Sequence, residues 1–139
     1  MKRIILDTNI YGLIISDTNK EIVRDGIEKK KKVIVYNIPL IRKELRDTPR
    51  KLRVEGENLR NYLLRIYDEF TKGHEIKFIS QAEELAEIYF VTYKELGGFA
   101  GKQEMLKDFI IRTYRIVNQI KQIIMPRFMN YEEFKKEIK

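Results

Sequence analysis

"RIILDTNIYG", residues 3–12, decides how this chain is to be read. Three apolar residues run without alternation into Asp7, then Thr8 and Asn9 follow before the apolar pattern resumes. An unbroken apolar run of this kind is what a strand buried on both faces looks like, as in a parallel sheet. "KVIVYN" (32–37) has the same form. Between the two lie "IYGLIIS" (10–16) and "KEIVRDGIEKKK" (20–31), both with helical spacing, the second ending in lysines. Strand, helix and strand over about thirty residues make the length of a βαβ unit.

Further along, "IPLIRKELRDT" (38–48) places Pro39 in a first helical turn, and Pro49 marks its end. "ENLRNYLLRIYDEFTKG" (57–73) repeats apolar residues three and four apart, as an amphipathic helix does. "EIKFIS" (75–80) reads as a weak strand or linker. Ser80 and Glu83 form a capping-box pair ahead of a helix over "QAEELAEIYFVTYKELGG" (81–98). A long helix over "KQEMLKDFIIRTYRIVNQI" (102–120), an edge strand in "KQIIMP" (121–126) and a charged last helix in "YEEFKKEIK" complete the pattern. The expectation is one α/β domain over residues 1–139 with a small, mostly parallel sheet. Apolar stripes that include Leu63, Ile66, Phe70 and Phe90 would pack the core or serve a homodimer.

Composition narrows the chemistry. The 139 residues hold 43% hydrophobic and 35% charged side chains, the balance of a folded domain. The sequence has no apolar stretch of the roughly 18 residues that a membrane helix needs, and "IIL" is too short for a secretory signal. A cytoplasmic protein with no membrane partner is expected. With no cysteine and one histidine, thiolate and His-rich metal sites are excluded, so any metal chemistry uses oxygen ligands, which suit magnesium or manganese. Lys+Arg 28 against Asp+Glu 21 gives a net charge of +7, which favours a polyanionic partner.

Three carboxylates stand out. Ligand sites of open parallel sheets gather at the carboxyl ends of strands, which is where Asp7 sits. Its alternative use is to cap the following helix, a task for which Asn9 is the nearer residue. Glu44 lies four after Leu40 and three after Ile41, so it points with the apolar face and must be paired, protonated or ligating. Asp108 lies inside a helix, where aspartate is unfavourable; an i,i+4 pair with Arg112 is its plain alternative. Clustered carboxylates repel unless a cation neutralises them, and two ions about 4 Å apart activate water against a phosphodiester. Arg42, Lys43, Arg46 and Arg50 cluster beside Glu44 as a solvated face or a clamp for phosphates. An aspartyl phosphatase would need a second Asp two residues after the first, where this chain has Asn9.

On "IILDTNIYG", "IRKEL" with Glu44 and "LKDFIIRTYRI" with Asp108, the chain resembles the PIN-domain nucleases, among them the toxins of toxin–antitoxin pairs. The resemblance implies a Rossmann-like, three-layer α/β/α fold and a Mg2+- or Mn2+-dependent endoribonuclease that acts on RNA, with an antitoxin protein as a partner. It carries Asp7, Glu44 and Asp108 over as catalytic, metal-binding acids, with Thr8 and Asn9 supporting the first. Family members follow the last core strand with a hydroxyl residue and then Asp or Asn; here Met125 and Pro126 stand there, while Asn130 and Glu133 of "NYEEF" resemble the later part of that motif. The alternative reading is a PIN-like module that binds RNA or protein without catalysis.

Overall fold

The computed structural model describes residues 2–37, 39–48, 53–54, 56–72, 88–92 and 127–139. The expected features at 75–80, the Ser80–Glu83 cap, the helix over 102–120 with Asp108, the strand over 121–126, and Arg50 all lie outside the described residues.

The first strand, β1 (Lys2–Leu6), has Ile4, Ile5 and Leu6 all buried, so both of its faces are covered. It lies in the middle of a four-stranded sheet in which every pairing is parallel. On one side is β2 (Val33–Val35), in register Lys2 with Val33. On the other are β5 (Ile88–Val91), which pairs Leu6 with Val91, and then β6 (Arg127–Met129). Parallel pairing puts the carboxyl ends of all four strands at one edge of the sheet and their starts at the other.

Between β1 and β2 run α1 (Thr8–Ser16) and α2 (Lys20–Glu28). Each buries residues three or four apart, Ile10 and Ile14 in the first and Val23 and Ile27 in the second. The lysine run after α2 is a tight turn: the Lys30 and Lys32 N–H groups donate to the carbonyls of Asp25 and Gly26 at 2.8 and 2.9 Å. Lys31 takes the left-handed conformation there, with φ of 49°. Helix α3 (Pro39–Arg46) starts on the proline, as its fixed φ favours, and α4 (Leu59–Thr71) is capped by Asn58, which accepts from the Asn61 N–H at 2.8 Å. Between these two helices, a hairpin of β3 (Arg53–Val54) and β4 (Glu57–Asn58) turns at Gly56, whose φ of 83° suits glycine. The last helix, α5 (Tyr131–Glu137), packs Ile138 so closely on α2 that a Cβ on Gly26 would meet the Ile138 carbonyl at 2.6 Å.

One expected element is overturned. "IYFV" was expected inside a helix over 81–98, yet Ile88–Val91 is strand β5, next to the central strand. Short apolar runs suit either structure; Ile, Tyr, Phe and Val favour the pleated one, and burial beside β1 decides it. Leu63, Ile66, Phe70 and Phe90 are buried and belong to the core.

Candidate active site

The carboxyl edge of the sheet carries a polar residue at the end of each strand. Across β2, β1, β5 and β6 these are Asn37, Asp7, Thr92 and Asn130. The apolar runs "VIVY", "IIL", "YFV" and "FM" each end on one of them.

Asp7 is fully buried. Its backbone N–H donates to the Val91 carbonyl at 2.9 Å, which carries the β1–β5 ladder one residue past the strand. Its side chain caps α1: Oδ1 accepts from the Thr8 N–H at 2.9 Å. The expectation that Asn9 would be the cap is therefore corrected. The chain is already helical at Thr8, so Asn9 lies in the first turn, exposed, and the residue before the helix takes the task. Capping leaves Oδ2, which accepts from the buried Thr92 hydroxyl at 3.2 Å. The Thr92 N–H in turn donates to the Met129 carbonyl at 2.9 Å, so the residue after β5 is tied to both neighbouring strands.

Glu44 is half-buried in α3 between the buried Ile41 and Leu45, and its Oε2 accepts a hydrogen bond from the Thr8 hydroxyl. Thr8 thus joins the two acids, capping contact on one side and hydroxyl contact on the other. Asn130 is not drawn into that pair: its side chain caps α5 by accepting from the Glu133 N–H at 2.9 Å, and Glu133 is exposed. Asp108 lies outside the described residues, among which no group of three or more His, Cys, Asp or Glu side chains gathers.

The basic residues next to Glu44 separate into two kinds. Arg42 is engaged by Asp68 of α4 through paired contacts, Nε to Oδ1 at 3.0 Å and Nη2 to Oδ2 at 3.1 Å, and this carboxylate raises its pKa. This exposed pair links α3 to α4. Lys43 and Arg46 are exposed, and among the described residues no ion pair engages either.

Two edge residues escaped sequence reasoning. Asn37 accepts a hydrogen bond from the Tyr67 hydroxyl at 2.6 Å and so links the end of β2 to α4. Thr92 was hidden in a stretch read as helix; its signal was the form it shares with Asp7, a polar residue ending an apolar run. Nearby, the Tyr11 hydroxyl is buried with no hydrogen-bond partner among the described residues, and burial pushes its pKa well up. No protein-family model matches the sequence, and neither a curated protein nor a solved structure matches it. Among the described residues no helix is long and apolar enough to cross a membrane.

Proposed function

We propose that this protein is a Mg2+- or Mn2+-dependent endoribonuclease on a PIN-like, three-layer Rossmann-type scaffold, with Asp7 and Glu44 as its central acids. The observation that carries the reading is the pair itself: a fully buried carboxylate at the carboxyl end of the central strand, joined through Thr8 to a second carboxylate from α3. Asp7 does more there than cap α1, since its second oxygen accepts from Thr92 at the end of the neighbouring strand.

The donor set fits the ion. Magnesium binds through one or two carboxylates and keeps several waters, and Asp7 and Glu44 supply hard oxygens of that type. Asp108 is the proposed third acid. A bound ion would lower the pKa of a coordinated water for attack on phosphorus and neutralise charge on the phosphate. This chain's own residues then do the positioning. Thr92 and the Thr8 N–H hold the Asp7 carboxylate from its two sides, the Thr8 hydroxyl holds Glu44, and Lys43 and Arg46 attract the RNA backbone. An antitoxin that covers this edge fits the toxin form of the reading.

The test is cleavage of labelled single-stranded RNA with Mg2+ or Mn2+. Asp7→Asn and Glu44→Gln should each lower the rate on the order of 10²-fold or more, as loss of a preorganised charge does. Cleavage undiminished in Asp7→Asn would refute the mechanism. A second reading, a non-catalytic RNA-binding module, is favoured by one observation: both Asp7 oxygens already accept protein hydrogen bonds. RNA binding without cation-dependent cleavage would select it.

A further inference from the structure

The amino edge of the same sheet has the opposite character. Because all four strands are parallel, the residues that begin them share one edge. There the fold gathers cations that the sequence keeps far apart: Lys2 at the start of β1, Lys29–Lys32 leading into β2, and Arg127 at the start of β6. From β2 across to β6 is three inter-strand steps of roughly 4.8 Å, a row of about 14 Å. Lys72, at the end of α4, lines the same cavity of about 380 Å3 as Lys31.

The row is exposed and held in place. Lys29, Lys30, Lys31, Lys32, Lys72 and Arg127 are all solvent-accessible. The backbone bonds from Lys30 and Lys32, with Lys31 left-handed between them, fix the backbone from which the lysine side chains extend. Lys2 and Arg127 flank the Tyr89 ring, at 4.8 and 6.0 Å from its centroid, so this pair is braced by an aromatic face. Carboxylates offset part of the charge: Glu137 pairs with Lys2 at 2.6 Å and Asp25 with Lys29 at 3.4 Å. Glu28 and Glu69 also line the cavity, but Arg24 lies against both. Among the described residues, no ion pair engages Lys30, Lys31, Lys32 or Lys72.

We propose that this amino-edge ridge is a second binding surface, one that takes the phosphate backbone of single-stranded nucleic acid on the side of the sheet remote from Asp7. Asp7 lies five residue steps after Lys2, about 17 Å along the strand. Nucleic acid is favoured over an acidic protein because phosphate binding needs only positioned cations, whereas protein interfaces rely on buried apolar anchors. Among the described residues the exposed large hydrophobic side chain is Ile22, about two helical turns before the lysine turn and off the ridge. The ridge is independent of the nuclease reading, since it requires no cation and no cleavage.

The experiment is fluorescence anisotropy of a labelled 20-nucleotide oligouridylate with the full chain in EDTA, over a series of KCl concentrations. Each phosphate contact contributes about 0.7 to the slope of log affinity against log salt for single strands. The triple variant Lys30→Gln/Lys31→Gln/Lys32→Gln should therefore lose about 2 from that slope, and should bind at least tenfold more weakly at low salt. The matching triple arginine variant should keep the slope. An unchanged slope and affinity in the glutamine variant, or equal losses in the arginine variant, overturns the ridge. So does a failure of the wild type to bind the oligonucleotide. Poly-glutamate bound as tightly, with the same dependence on the three lysines, would assign the surface to an acidic protein and overturn the nucleic-acid reading. EDTA halts any cation-dependent cleavage, so failure of the ridge and failure of the Asp7 chemistry read out separately.

Discussion

The two ends of β1 solve opposite problems with charge. At the carboxyl end Asp7 is wholly removed from water, and each of its oxygens is held by a donor from the chain. At the amino end Lys2 is 38% exposed, and its ion pair with Glu137 lies in solvent. A buried polar group has a large effect when its partner is removed, because the orphan cannot turn to water; an exposed one has little. Charge therefore shapes the fold at one edge and only the electrostatic field at the other.

That contrast can be broken by substitution. Asp7→Ala removes the α1 cap and strands the Thr92 hydroxyl, so it should cost about 2–4 kcal/mol, read from urea unfolding. A loss below 0.5 kcal/mol, a threshold of about one weak hydrogen bond, would show that the carboxyl edge is not braced through Asp7. Gly26→Ala should cost about 1–3 kcal/mol by pushing on Ile138, which would make packing, not charge, the sensitive feature near the lysine turn. Thr92→Val keeps the shape but removes the donor to Asp7, for about 1–2 kcal/mol, and Thr92→Ser should recover most of it; equal losses in both would point to packing alone.

Asp17 stands between the extremes. The Asn19 N–H at 2.8 Å, then the Tyr131 hydroxyl at 2.8 Å and Lys135 at 3.4 Å, hold its carboxyl below the ordinary aspartate value near 3.8. A lowered folded-state pKa means stability that is complete above that value and is lost as the pH falls through the folded one. Thermal unfolding of Asp17→Asn should accordingly show a flatter decline below pH 4, and an identical acid limb would contradict it. The smallest effect belongs to Lys2→Gln, under about 1 kcal/mol and vanishing in high salt.

How much of this was legible depends on how local each signal is. Strands β1 and β2 could be read because a strand buried on both faces is a continuous apolar run, and α4 because its buried residues recur three and four apart. Strand β5 was lost because four apolar residues lie inside eighteen that otherwise read as a capped helix, and only pairing with β1 distinguishes the two. Glu44 could be placed by its neighbours Ile41 and Leu45, whereas the engagement of Arg42 by Asp68, twenty-six residues on, leaves no local trace. The β3–β4 hairpin, two residues a side, is too short for any periodicity to register.

The Thr92–Asp7 hydrogen bond spans 85 residues of chain, and the Thr92 N–H waits on Met129 still further along. During synthesis Asp7 emerges early, with its helix-capping contact available at once from the next residue. Its second oxygen gains the Thr92 hydroxyl only once β5 has left the ribosome and docked, and β5 gains its outer neighbour later still. The carboxyl edge is therefore among the last parts of the molecule to mature, so a nascent chain carries an unfinished site for most of its translation.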